Sequence, residues 1–380
     1  MDIYAQSLAL HKEHHGKLET NSKLKLDSKE VLSLAYSPGV AEVSRAIAKD
    51  PASAREYTLK RNTIAVVSDG SAILGLGNLG ALAAIPVMEG KAAIFKEFGG
   101  VDAFPICLDT QDTEEIIKAV KQIAPVFGGI NLEDISAPRC FEIEERLRKE
   151  LSIPVMHDDQ WGAGTVALAG LINSLRITQK DPQKVKIVLS GIGAAGVATA
   201  RLLLAYGMRN LVLCDSKGII HHNRTDLTCE KTELLSASTA VVAEGGLEEA
   251  IAGADVFIGL SKPGILTQGM VRSMAEKPII FALANPTPEI MPDEAKEAGA
   301  VVVATGRSDF PNQLNNSLVF PGAFRGMLDA QIPQFTTEMF LKIADNLAHY
   351  VENPTPEKIL PSMFDKGVAE MVAETVRGFQ

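Results

Sequence analysis

Two pairs of adjacent carboxylates, Glu133-Asp134 in GGINLEDI and Asp158-Asp159 in IPVMHDDQ, are the residues of this sequence best placed to do chemistry together. Each pair follows a short apolar run of the kind that ends a buried strand. Between them lies ISAPRCFEIEERLRKELS, in which Cys140, Ile143 and Leu147 recur at helical spacing while Glu144, Glu145, Arg146 and Arg148 face away. Strand, helix, strand predicts two parallel strands, and so both pairs at the same end of one sheet, where α/β proteins place ligands. Four crowded carboxylates call for a cation. Oxygen donors with little His or Cys nearby suit Mg²⁺ or Mn²⁺ and argue against zinc. Two ordinary acidic loops beside a helix would carry the same residues, so metal binding and bland exposure both stay open.

Two residues upstream can join this chemistry. Lys91 lies on the apolar face of a helix expected from about Ala81 to Phe98, with Ala84, Val87, Met88 and Ile94 beside it, whereas Lys96 lies elsewhere on the wheel. Burial disfavours the charged form and would lower its pKa, making a general base; alternatively the chain snorkels to water. Tyr36 precedes the turn Ser37-Pro38-Gly39, with a helix from about Val40. It can face a cleft or pack with its hydroxyl on a backbone group.

Positions 61–74 (RNTIAVVSDGSAIL) read as a hairpin turning at Asp69-Gly70. The string GLGNLG follows, matching GxGxxG through Gly75, Gly77 and Gly80, but strand, helix and distal acid do not fall at the required spacings. These glycines read as close packing or as room beside a site. A second string fits fully. Strand VKIVLS runs into Gly191-Ile192-Gly193-Ala194-Ala195-Gly196, a helix follows, and LVLC ends at Asp215, about 20 residues beyond the last glycine. The glycines permit the tight turn and the approach of a pyrophosphate, and Asp215 can accept from the adenosine ribose. Asp215 favours NAD; Lys217 offers a partner for the extra phosphate of NADP. Further strands are expected in STAVVAE, ADVFIGL, KPIIFALA and AVVVAT. Past two of these strands stand Asn285 in FALANPTPE and Asn315-Asn316 in NQLNNSLVFPG, neutral amides that can hold a carboxylate or simply fix turns.

The elements that position these residues predict an α/β protein: an N-terminal α/β domain over 1–158, a Rossmann-type doubly wound domain over 159–319, and a helical tail, 320–380, packing back onto the first. With 380 residues and 46% hydrophobic content the chain can bury two cores. A formal charge of −10 offers no basic patch to nucleic acid or an anionic membrane. The polar N-terminal arm, with His11, His14 and His15, lacks a signal-peptide run, and the apolar window from Gly75 to Phe95 is broken by polar residues, a buried helix and not a membrane span. Cys107, Cys140, Cys214 and Cys229 show no paired spacing and read as reduced core residues. The expectation is a cytoplasmic protein acting on small molecules.

AYSPGVAEV, SDGSAILGLGNLGALAAIPVMEGKA, NLEDI, MHDDQ, GIGAAG with CDSKG, ANPTPE and NQLNNSLVFPG, in that order over nearly the whole chain, resemble the malic enzyme family in its short bacterial form. The resemblance implies oxidative decarboxylation of L-malate to pyruvate with NAD or NADP and Mg²⁺ or Mn²⁺, in a homodimer. It makes Tyr36 the proton donor, Lys91 the base, and Glu133, Asp134 and Asp159 the metal ligands. Asp158 would tune the base, and Asn285, Asn315 and Asn316, with Lys91, would hold substrate. Three departures stand out: Trp161-Gly162-Ala163 after DDQ where a Gly-Thr is usual, Ile192 in the fingerprint in place of alanine, and Ala72 where larger relatives carry an arginine. These spare the decarboxylation residues and bear on hydride transfer, so an oxaloacetate decarboxylase without net redox chemistry is the alternative. A non-catalytic dinucleotide-binding regulator is a third, less consistent with Tyr36, Lys91 and the metal carboxylates together.

Overall fold

The structure, a computed structural model, describes residues 3–241 and 244–380. Its first sheet is built from β1 (Thr63–Ser68), β2 (Asp102–Cys107), β3 (Gly129–Leu132) and β4 (Val155–His157), in the order β2-β1-β3-β4 with every pairing parallel. All six residues of β1 are buried, as a strand covered by helices on both faces requires. The hairpin expected over 61–74 therefore does not form. Both edges of β1 are taken by β2 and β3, and Ile73 makes only an isolated antiparallel bridge to Gly77.

The second sheet contains β5 (Ile187–Ser190), β6 (Leu211–Asp215), β7 (Gly218–Ile219), β8 (Val256–Gly259), β9 (Ile279–Ala282) and β10 (Val302–Thr305), in the order β10-β9-β8-β5-β6-β7. Among the described residues of this sheet, only the short edge pairing of β6 with β7 is antiparallel. The expected strand in STAVVAE is not formed over its described residues; 242 and 243 lie outside them. The strand order reverses at β5, which opens a crevice at the carboxyl ends of β5 and β8.

The helix Asp158–Thr178 starts at the first sheet's carboxyl edge and runs, almost wholly buried, to the second sheet. Gly164 lets it approach the helix Ala194–Tyr206, since a Cβ there would lie 3.1 Å from Thr199 N. The C-terminal helices Phe320–Ala330, Thr337–Tyr350 and Val368–Arg377 reach both halves. Phe320 and Phe324 pack on Phe95 with ring centroids 4.7 and 5.5 Å away, and the Asn173 amide donates to the carbonyls of Ala348 (2.7 Å) and Ile359 (2.8 Å).

The N-terminal helices Ile3–His14, Lys29–Ala35 and Val40–Lys49 bury no residue. The apolar window expected to be a buried helix begins as a loop and becomes the helix Ala81–Gly99, whose first turns stay open: Leu82 is 84% exposed, and Leu79 and Ile85 are exposed as well. Cys140 and Cys214 are core residues, but Cys229 is exposed. No helix among the described residues is long and apolar enough to cross a membrane.

Candidate functional site

The carboxyl ends of β3 and β4 bring both acidic pairs to one place. Glu133 and Asp134 follow β3, and Asp158 and Asp159 open the helix after β4. Glu133, Asp134 and Asp159 each offer an oxygen within 4.8 Å of the others. Asp134 adopts a left-handed φ of 54°, which aims its carboxylate inward, and its backbone N–H donates to Asp159 Oδ2 at 2.8 Å. Asp134 Oδ2 is buried without a hydrogen-bond partner. An oxygen-only triad with an orphaned buried acceptor fits Mg²⁺ or Mn²⁺.

Lys91 enters this cluster from the helix Ala81–Gly99 and does not snorkel. It is 7% exposed, with Nζ 2.7 Å from Glu133 Oε1, 2.5 Å from Asp158 Oδ2 and 4.2 Å from the centre of the Phe320 ring. Its pKa is not lowered, as burial alone would have it. Burial is the largest influence and acts downward, but Asp158, Glu133 and Asp159 together outweigh it and raise the pKa above the ordinary lysine value. Burial pushes the carboxylates up: Glu133 to about 7 against the pull of Lys91, and Asp158 to about 7 likewise. Burial, then Asp159 and Glu133, push Asp134 up to about 9.

These shifts set a pH dependence. A carboxyl group whose folded pKa is raised stabilises the fold while protonated and loses that contribution as pH rises through the folded value. Burial lowers His157 to about 4, so that residue withdraws stability only as pH falls below about 6.5 and is silent above 7. The metal-free protein is therefore expected to lose melting temperature between pH 7 and 9, by about 5 °C or more. Saturating Mg²⁺ should flatten that loss. Thermal melts with chelator and with Mg²⁺ across this range check it.

Glu144 corrects the sequence reading: it points inward, not away. It is buried and accepts from the His157 backbone N–H (3.0 Å), Gln160 Nε2 (3.0 Å) and Trp161 Nε1 (2.9 Å). One carboxylate thus fixes the end of β4 and the first turn of the helix carrying Asp158 and Asp159. Trp161 in turn stacks on Phe340 at 5.0 Å, and the Thr165 hydroxyl donates to its carbonyl at 2.6 Å. Glu144→Ala orphans three buried donors and should cost about 3 kcal/mol of stability, measured by urea unfolding.

The asparagines divide. Asn316 approaches Asp158 across Gly162, where a Cβ would stand 2.0 Å from Asp158 Oδ1 and 2.9 Å from Asn316 Cβ. Asn315 caps the turn Asn316–Leu318, its Oδ1 accepting from Ser317 N at 2.9 Å. Asn285 is exposed between the two sheets: a Cβ on Gly75 would lie 2.4 Å from its carbonyl oxygen, and one on Gly306 would lie 2.6 Å from its Nδ2. Gly75 of the first glycine string thus lets its loop pack closely on the Asn285 backbone, whereas a Cβ on Gly77 or Gly80 would meet nothing within 4 Å. Buried Glu289, passed over in the sequence, ties the strand ends there by accepting from Ser261 N and Ala284 N, each at 3.0 Å. Tyr36 does not join the cluster within this chain; its side chain is 69% exposed and so not packed into the fold.

At the second sheet, β5 leads into Gly191, Ile192 and Gly193, and the helix begins at Ala194 and Ala195. A Cβ on Gly191 would lie 2.4 Å from Leu260 O and one on Gly196 1.9 Å from Gly191 O, whereas one on Gly193 would meet nothing within 4 Å. Two glycines close the turn and the third leaves open space over a helix N-terminus, which fits a dinucleotide pyrophosphate. Ile192 is buried. Asp215 ends β6, and the Lys217 side chain pairs with Asp226 at 2.7 Å. Arg224 and Lys231, which contact Asp215, lie in a polar stretch with no pattern to mark them.

Comparison with known proteins agrees with this geometry. The family model described as malic enzyme, N-terminal domain, matches residues 15–148, and that described as malic enzyme, NAD binding domain, matches residues 161–377. The chain is 56% identical to an NAD-dependent malic enzyme of Geobacillus stearothermophilus, covering 95% of this chain and 76% of that one. It is 51% identical to a bifunctional malic/malolactic enzyme of Bacillus subtilis, covering 99% and 92%. Other relatives are named NADP-dependent malic enzymes. The crystal structure of an NAD-dependent malic enzyme from Thermotoga maritima superposes with a TM-score of 0.95 at 48% identity, covering 100% of this chain and 99% of that one. With an acidic triad at one sheet edge, a dinucleotide crevice at the other, and relatives matching over nearly its full length, the chain belongs to the malic enzyme family.

Proposed function

We propose that the chain converts L-malate to pyruvate and CO₂ by oxidative decarboxylation, using a divalent metal ion and NAD or NADP. The observation that carries this reading is the seating of Lys91 among Glu133, Asp158 and Asp159 at the carboxyl edge of the first sheet. Glu133, Asp134 and Asp159 would hold Mg²⁺ or Mn²⁺. Such an ion would supply Lewis acidity to the substrate hydroxyl and to the charge left on loss of CO₂. Lys91 would take the hydroxyl proton, and NAD or NADP held at the 191–196 turn would supply the hydride acceptor. With Glu133 and Asp159 committed to an ion, their hold on Lys91 would weaken and burial would act to lower its pKa, while Asp158, 2.5 Å from Nζ, would keep the amine oriented. Asn285, Asn315 and Asn316 hold substrate carboxylate without adding charge.

Tyr36 supplies the proton that converts the enolate of pyruvate to product. It lies on an open face with exposed Leu32, Leu34, Val40 and Val43. We take that face to be covered by a second copy in a homodimer, because it gathers exposed apolar side chains around Tyr36. We also take the domains to divide near residue 158, with the C-terminal helices bridging both. The test is nicotinamide reduction by the metal-stripped protein given L-malate and either nucleotide, with and without Mn²⁺. Metal-dependent reduction supports the reading; pyruvate from oxaloacetate alone, without reduction from malate, makes the protein a decarboxylase.

A further inference from the structure

The adenosine end of the dinucleotide crevice differs from what the fingerprint alone implies. Asp215 is expected to accept from the ribose 2′-hydroxyl, yet its acceptor sites are taken. Oδ1 accepts from Lys217 N at 2.9 Å and Arg224 Nη1 at 2.8 Å, and Oδ2 from Arg224 Nη2 at 3.0 Å and Lys231 Nζ at 2.6 Å. A carboxylate offers about four lone-pair sites, so a ribose hydroxyl must displace one of these donors to bind, and three of the four are charged. Neither cation is a loose surface end: the Arg224 side chain is 9% exposed and that of Lys231 18%. Arg224 also forks onto Asp226, with Nε 2.9 Å from Oδ1 and Nη2 2.9 Å from Oδ2, and Lys217 Nζ lies 2.7 Å from the same carboxylate. Three cations, Lys217, Arg224 and Lys231, face two carboxylates, leaving the place reserved for the adenosine ribose with a net positive charge.

Resting on the proposed function, we infer that this cluster is a 2′-phosphate subsite, that the chain takes NADP in preference to NAD, and that Arg224 and Lys231 decide the choice. A phosphate monoester brings about two negative charges and three acceptor oxygens, and can share the donors that Asp215 now holds. The guanidinium has five donors in a planar fork and the ammonium three that rotate, so both can bridge phosphate and carboxylate at once. A neutral hydroxyl offers them no charge in exchange.

The test is calorimetric titration of the substrate-free protein with NADP⁺ and with NAD⁺, which reads binding rather than turnover. The wild type is expected to bind NADP⁺ at least tenfold more tightly. Arg224→Ala and Lys231→Ala should each weaken NADP⁺ tenfold or more while leaving NAD⁺ unchanged or tighter, because Asp215 is freed. Arg224→Lys, which keeps the charge and loses the fork, should fall between. Tighter binding of NAD⁺ by the wild type, or an equal loss of both nucleotides in folded variants, overturns the inference and leaves the dinucleotide reading standing. Failure of the wild type to bind either nucleotide removes both.

Discussion

Lys91→Ala is expected to lower malate turnover by roughly 10²–10⁴-fold, the usual contribution of a positioned acid or base. The same change removes the cation paired with Glu133 and Asp158 in a region with almost no solvent. Breaking a buried pair costs about 3–5 kcal/mol when the remaining charge is uncompensated. The carboxylates here recover part of that by taking up protons, so the loss should deepen as pH rises. Divalent metal should restore most of the stability and none of the turnover, which separates the two roles of the lysine. Tyr36→Phe makes the contrast. The Tyr36 side chain is exposed within its own chain, so the fold of that chain should be as stable as in wild type while the last protonation slows. Wild-type turnover from Lys91→Ala would remove the lysine from the chemistry.

Asp159→Asn should weaken Mn²⁺ binding by about 100-fold or more, since losing even an outer partner of a metal ligand commonly costs 10–100-fold. The amide keeps an oxygen that can accept from the Asp134 backbone N–H, now 2.8 Å from Oδ2, so the local backbone has no reason to move. Only charge and ligand strength change. Above pH 7 the metal-free variant should melt higher than the metal-free wild type, because one of the crowded charges is gone. With Mn²⁺ the order should reverse. At a fixed ion concentration well above both dissociation constants, a 100-fold weaker site forfeits about 2.7 kcal/mol of ligand-linked stability. Melting temperature against Mn²⁺ concentration reads both effects; equal metal-induced shifts in variant and wild type would place Asp159 outside the metal site.

Features set by local periodicity were readable from the chain. The acidic pairs after β3 and β4 follow short apolar runs, and the helix between them shows its buried face in Cys140, Ile143 and Leu147. The fingerprint at Gly191, Gly193 and Gly196 is likewise contained within one strand, one turn and one helix. The failures are non-local. Asp69-Gly70 is a sound turn signal, but whether a hairpin follows depends on whether β2 and β3 have already taken both edges of β1. Glu144 sits next to an apolar helix face and looks solvated until Gln160 and Trp161 arrive from the next helix. Burial of Lys91 was legible on its own helix, but the sign of its pKa shift was not, because the carboxylates that decide it come from two other strands. The saturation of Asp215 by Arg224 and Lys231 depends on how the loop after β7 folds back, for which the residue pattern gives no cue.

On the proposed function, one site couples hydride removal from malate to loss of CO₂. L-malate carrying an isotope label in the carboxyl attached to its methylene carbon, incubated with Mn²⁺ and NADP⁺ or NAD⁺, tests it most directly. Labelled CO₂, pyruvate and reduced nucleotide are expected in a one-to-one-to-one ratio, all abolished by chelator. Labelled CO₂ without nucleotide reduction, or reduction that stops at oxaloacetate with the label retained, would contradict it.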